Sequence, residues 1–147
     1  MHTYPVGLRW TGTTSTDYTR DAEGVAPGKP EIPLSAGGAF AGSDVRWNPE
    51  DLFGLSLANC HMLTFLALAK KAKIDCREYV ENATVTLDSV GGVTKIVKVR
   101  LAPLIRIAAG DLETAKVLFE KAHKYCFIGS SITSEVEMAA TIELIAP

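Results

Sequence analysis

Polar and apolar positions fall into blocks of different period along the chain. Residues 79 to 88 and 93 to 101 alternate as strands do, with Val93, Val97, Val99 and Leu101 set against Lys95, Lys98 and Arg100. Gly91 and Gly92 between the two blocks predict a hairpin turn. Residues 4 to 10 read as a further strand, and "GTTSTDYTRDAEG" at 12 to 24 mixes turn and β-branched residues, predicting strands joined by polar turns. In "DLETAKVLFEKAHKYC", Leu112, Ala115, Leu118, Phe119 and Ala122 form one stripe at helical spacing. A helix that delivers Cys126 at its end is expected there. The tail "ITSEVEMAATIELIAP" alternates again and predicts a closing strand, with Gly129, Ser130 and Ser131 as the break before it.

The most apolar stretch is "NPEDLFGLSLANCHMLTFLALAKK", residues 48 to 71. Asn48 offers an N-cap, Pro49 suits the first turn, and Glu50 and Asp51 place negative charge where the helix dipole favours it. The helix is expected to run to Lys70 or Lys71. Its length raises the question of a membrane span, but Ser56, Asn59, His61 and Thr64 occupy its middle and the rest of the chain patterns as a soluble domain. A helix apolar nearly all round has to be covered, either by a sheet or by another subunit. Between the early strands and this helix, "APGKPEIPLSAGGAFAGSD" is rich in proline and glycine and predicts a long ordered loop between short extended pieces. The order strands, helix, hairpin, helix, strand predicts an α+β fold with a largely antiparallel sheet and two main helices.

At 147 residues the chain is expected to form a single domain, 1–147. A formal net charge of -2 provides no basic field for gathering phosphates, so nucleic acid is not an expected partner. "MHTYPVGLRW" has no basic segment leading into an apolar one, and the cytoplasm is the expected compartment.

Cys60, Cys76 and Cys126 are an odd count without an export signal, which argues against a structural disulfide framework. Cys60-His61 and His123-x-x-Cys126 lack the two-plus-two spacing of a zinc motif, so no metal is expected. A thiol inside an apolar helix packs as a small hydrophobe and is inert unless a cation stabilises its thiolate. The arginines at 9, 20, 46, 77, 100 and 106 are all candidates on spacing alone. His61 points about 100° around the helix from Cys60 and is a poor direct partner, whereas His123 shares a face with Cys126 and could form a thiol-base pair. Cys76, after "KKAKID", reads as incidental and placed in a connecting turn.

Three features taken together resemble the OsmC/Ohr family of osmotically induced and organic hydroperoxide resistance proteins. They are "NPEDLFGLSLANC" ending at Cys60, the second cysteine after "AHKY" at Cys126, and the early arginine in "YTRDAEG". The resemblance covers essentially the whole chain in element order and length. It implies an intertwined homodimer with active sites at the subunit interface, and a thiol-dependent peroxidase that reduces organic hydroperoxides. By motif position Cys60 resembles the peroxidatic cysteine and Cys126 the resolving one, while Arg20 and Glu50 match the arginine and glutamate that activate the thiol. A dithiol reductant, such as a dihydrolipoyl protein, is implied as the electron source, and no metal or organic cofactor. Many relatives carry proline directly after the second cysteine, where this chain has Phe127.

One geometric expectation is independent of the family. Glu50 and Cys60 are ten residues apart, so an unbroken helix separates them by about 15 Å along its axis, too far for one arginine to bridge. Either the helix breaks near Gly54, or Glu50 serves Cys60 of a second subunit. Two rival functions remain open from the residues: a non-catalytic domain that binds a small hydrophobic ligand, and a cysteine hydrolase pairing Cys60 with His61 or His123, for which no nucleophile-elbow signature is visible.

Overall fold

The computed structural model describes residues 1–145 and divides into two compact units, one of Met1–Leu52 and one from Phe53 onward. In the first unit, short strands β1 (Gly7–Arg9), β2 (Ala22–Val25) and β3 (Ile32–Leu34) form an antiparallel sheet in that order. Strand β1 is shorter than the expected 4 to 10. Residues 12 to 21, expected to hold strand, are loop and bends, because their serines, threonines and aspartate bond locally: Thr13 Oγ1 accepts from Ser15 N at 3.1 Å and Thr19 Oγ1 from Asp21 N at 3.1 Å. Arg46 stitches this unit together by donating to the carbonyls of Ala22 and Leu34 at 3.0 and 3.3 Å, with Asp21 as its ion-pair partner at 3.5 Å.

Helix α1 runs unbroken over Pro49–Lys71. Its start is a reciprocal cap: Asn48 Oδ1 accepts from Asp51 N at 2.8 Å and Asp51 Oδ2 accepts from Asn48 N at 3.2 Å. Gly54 does not break it. A Cβ there would come within 2.6 Å of Val85, so the glycine serves close packing of helix on strand.

Beyond α1, the chain forms three long extended passages, each bent once. The first is β4 (Asp75–Val80) and β5 (Thr84–Val90), the second β6 (Val93–Leu101) and β7 (Leu104–Ala109), the third β8 (Glu135–Met138) and β9 (Thr141–Leu144). One sheet has the order β5-β6-β8 and the other β4-β7-β9, so every passage crosses from one sheet to the other at its bend. Sequence reading runs 79 to 88 together as one strand, leaves 102 to 109 unassigned, and treats the tail as one strand. The bend explains all three differences. Pro103 has no N–H and cannot continue a ladder. Glu81 receives the free N–H of Ala102 at 2.7 Å, while Ala139 N and Thr141 N donate to the carbonyls of Leu101 and Pro103 at 2.8 and 2.9 Å. The tail thus follows β6 and β7 through the corner, pairing parallel to both, whereas β5-β6 and β4-β7 are antiparallel. The sheets beyond α1 are therefore mixed. The final two residues of the expected closing strand, 146 and 147, lie outside the described residues.

The β5-β6 turn has φ of 61° at Gly91 and 80° at Gly92, the left-handed pair that a two-residue hairpin requires. Helix α2 spans Leu112–Tyr125, with the Asp111 carboxylate capping Glu113 N and Thr114 N. The core of this unit unites Leu57, Phe65 and Ala69 of α1, Val99 and Leu101 of β6, Ile105 and Ile107 of β7, and Ala115, Phe119 and Ala122 of α2.

Helix α1 is long and apolar enough to cross a membrane by length and composition. Its buried residues, Gly54, Leu57, Ala58, His61, Phe65 and Ala69, are those of a core helix. The covering is one-sided: Leu55 and Leu63 remain 51% and 56% exposed, in a stripe continued by Asn59 and Ala67.

Candidate active site

Two helices bring the distant cysteines together. Cys60 sits in the middle of α1, half-buried, and Cys126 follows α2 directly, fully buried, with its backbone N–H closing the helix on Ala122 O at 2.8 Å. The contact is built by Phe119, whose ring lies 4.4 Å from His61 and 6.2 Å from Phe65, locking α2 onto α1. The thiols are reduced and adjacent. Burial pushes the Cys126 thiol up to about 11, and the neighbouring Cys60 side chain adds to the shift. The N–H of Gly129 opposes it, donating to Cys126 Sγ at 3.3 Å from the short turn Gly129–Ser131. Burial thus keeps the Cys126 thiol protonated at neutral pH beside the half-buried Cys60.

His61 is wholly buried, and neither ring nitrogen has a hydrogen-bond partner among the described residues. Desolvation, with His123 as a second cause, holds it down to about 4. It is a neutral packing group on Phe119 and is not bonded to Cys60. His123 Nδ1 is also buried without a partner among the described residues, so that nitrogen does not form the thiol-base pair with Cys126.

A stability consequence follows from His61. An unfolded histidine takes up a proton near pH 6.5, the folded one only near 4, so the unfolded state binds more protons between those values. Stability from this residue is fully present above pH 6.5 and falls as pH drops to 4, by roughly 3 kcal/mol over the whole window. Urea unfolding at a series of pH values, comparing the parent with His61→Leu, should show about one proton less of uptake in the variant across this range.

Arg20 and Glu50 both belong to the first unit. Arg20 Nη1 donates to Tyr18 O at 2.8 Å, and its guanidinium lies 4.1 Å from the centre of the Tyr18 ring. Glu50 is half-buried in the first turn of α1. No hydrogen bond or ion pair joins the two among the described residues. Arg20 has no carboxylate partner among those residues, which leaves its remaining donors available for an anion.

The family model for OsmC-like proteins matches residues 42–141. The chain belongs to the OsmC-like protein family. An OsmC-like protein of unknown function from Vibrio cholerae superposes with a TM-score of 0.88 at 26% identity, covering 96% of this chain and 100% of its own. The organic hydroperoxide resistance protein of Elizabethkingia anophelis gives 0.69 at 23% identity, covering 98% and 99%, and OhrB of Bacillus subtilis gives 0.65 at 20%, covering 97% and 98%. At those identities the last two share the fold. No curated protein matches the sequence.

Within this OsmC-like chain, Phe127 stands 83% exposed, and its carbonyl accepts from the hydroxyls of Ser130 and Ser131 at 3.1 and 2.7 Å. Those bonds tie down the turn that carries Gly129. Cys76 is in strand β4, not in a connecting turn; its thiol is half-buried, donates to Glu78 O at 3.6 Å and is raised by burial. Of the apolar residues of α1, Leu57 and Phe65 belong to the core, while Leu55 and Leu63 face outward. No group of three or more His, Cys, Asp or Glu among the described residues is arranged to hold a metal. Sequence reading missed an apolar cavity of about 500 Å³ in the first unit, lined by Trp10, Tyr18, Arg20, Leu34, Ser35 and Trp47 among others. Its lining comes from four separate stretches of chain, so no local pattern could have signalled it.

Proposed function

We propose that this OsmC-like chain is a thiol-dependent peroxidase that reduces organic hydroperoxides to alcohols. The observation that carries the reading is the adjacency of Cys60 and Cys126: one thiol half-exposed, the other buried against it. Cys60 as thiolate attacks the terminal oxygen of the hydroperoxide, the O–O bond breaks, and the alkoxide takes a proton to leave as alcohol. The sulfur, oxidised by two electrons, becomes a sulfenic acid. Cys126 then attacks that sulfur, releasing hydroxide, which combines with the Cys126 proton to give water and a Cys60-Cys126 disulfide. An external dithiol, such as a dihydrolipoyl protein, reduces the disulfide and restores both thiols.

Arg20 serves the thiolate and the developing alkoxide, because a guanidinium stays cationic and offers several donors. Glu50 and Arg20 of one chain form no pair, so the bidentate pair that orients the guanidinium is assigned to groups from two copies of the chain. Since α1 is unbroken, Glu50 and Cys60 of one chain are separated by about 15 Å along the helix. The reading is therefore a homodimer with composite sites, and the outward stripe of Leu55 and Leu63 supports it as the surface a second copy would cover. Sedimentation at micromolar concentration should return a dimer; a fully active monomer would rule out composite sites. The cytoplasm, with its dithiol reductants, is the compartment this chemistry suits.

The resolving step should be strongly pH dependent. With the Cys126 thiol near 11, its thiolate fraction rises about tenfold per pH unit, so disulfide formation after one equivalent of cumene hydroperoxide should accelerate about tenfold per unit from pH 7 to 9. In Cys126→Ser the sulfenic acid should persist and trap dimedone. A pH-independent rate would remove Cys126 as the resolving thiol.

The second reading is a non-catalytic binding domain for a small hydrophobic ligand, favoured by the apolar cavity of the first unit. Thiol counting separates the two: loss of two thiols per chain with alkyl peroxide consumption supports the peroxidase, and unreactive thiols support the binder.

A further inference from the structure

The cavity of about 500 Å³ in the first unit has walls of unusual composition. Three aromatic rings line it: Trp10, Tyr18 and Trp47. Trp10 Nε1 donates to Thr19 O at 2.9 Å, so its polar atom is satisfied, and its ring meets Tyr18 edge-on at 6.5 Å. Trp47 is fixed through its backbone, which exchanges bonds with Pro33 O at 3.0 Å and Ser35 N at 2.9 Å along strand β3. The Trp10 side chain and the Trp47 backbone are thus tethered, which lowers the ordering entropy that binding costs.

Polar side chains interrupt this apolar lining at Thr14, Thr19, Arg20 and Ser35, and the last two have unmet demands. Arg20 contributes a cation with no carboxylate partner among the described residues. Ser35 is only 6% exposed, and its hydroxyl is buried without a hydrogen-bond partner among those residues. A buried hydroxyl left unpaired is destabilising, and a ligand oxygen at that spot would offset that cost. An occupant that satisfies all of these groups has a flat aromatic body and an oxygen function at one end.

We infer that this cavity seats the organic half of the substrate, and that Trp10, Tyr18 and Trp47 select arylalkyl hydroperoxides over straight-chain ones of equal carbon count. The inference rests on the peroxidase reading for its reaction, but the binding itself can be tested without any redox step. Offset or edge-to-face contacts between an aryl ligand and these rings contribute a preference of roughly two- to tenfold over an alkyl chain of the same size. The oxygen end of the ligand lies toward Arg20 and Ser35.

The chain has two tryptophans, and both line the cavity, so its intrinsic fluorescence reports occupancy directly. The probes are 2-phenyl-2-propanol and 1-nonanol, redox-inert alcohols of equal carbon count. The phenyl alcohol should change the emission saturably and bind about fivefold more tightly than nonanol. Trp47→Leu should weaken phenyl binding about tenfold and nonanol binding less than about twofold, with Trp10 as the remaining reporter, while Trp47→Phe should retain most of the preference. The same variants should move the ratio of cumene to nonyl hydroperoxide consumption in step, with the count of reactive thiols unchanged. Equal affinity for the two alcohols, or no saturable change, overturns the inference even if cumene hydroperoxide is still consumed, and in that case the peroxidase reading stands. Aryl-selective binding without any peroxide consumption overturns the peroxidase and the substrate assignment with it, and leaves a binding domain.

Discussion

Cys60→Ser is expected to lower the rate of alkyl hydroperoxide consumption by about 10³-fold or more, since it removes the nucleophile on which both oxidation steps depend. Serine is nearly isosteric, and Cys60 is half-buried, so the fold should survive the exchange. A hydroxyl does not supply the soft anionic sulfur that attacks a peroxide oxygen. The thiol count makes the experiment specific. In the parent, peroxide should remove two of the three thiols, leaving Cys76 in its strand with its sulfur bonded to Glu78 O. In Cys60→Ser, both Cys76 and Cys126 should remain titratable after prolonged exposure, because burial keeps each protonated. A variant that still consumes cumene hydroperoxide at the parental rate would move the chemistry to another residue.

Arg20→Ala should slow Cys60 oxidation by about 10²- to 10³-fold, the usual effect of deleting a donor aimed at developing negative charge. Among the described residues the side chain hydrogen-bonds only to an exposed carbonyl, that of Tyr18, so little stability should be lost. Arg20→Lys should recover only part of the rate: it restores the charge but lacks the planar fork that grips two oxygens and pairs with a carboxylate. Stopped-flow oxidation of the reduced protein, with melting curves as a control, measures both effects. Unchanged oxidation in Arg20→Ala would take Arg20 out of the mechanism and leave the thiol without its cation.

The legible elements were those whose signals are local. The Asn48-Asp51 cap, the Gly91-Gly92 turn and the stripe from Leu112 to Ala122 each lie within a few turns of chain, and each formed where residue type and spacing place it. The motif from Asn48 to Cys60 and the distant Cys126 likewise carried the family in residue types alone. Strand β7 was not legible, although Ile105 and Ile107 alternate inward, because Pro103 disguises the continuation of β6 as an ending. The split of the tail into β8 and β9 was hidden for the same reason: it copies a bend made elsewhere in the chain.

Residue types by themselves determined that there are two helices with strands, that one helix carries a thiol at its centre, and that the chain belongs to the OsmC-like family. The tertiary structure alone decided that Cys60 and Cys126 are neighbours in one core, that His61 is a neutral core residue, and that two tryptophans, a tyrosine and a serine unpaired among the described residues surround one cavity. The physical reason is range. Caps, turns and amphipathic stripes are properties of neighbouring residues, whereas a thiol's burial and a cavity's walls depend on which distant side chains the packed helices and sheets bring together.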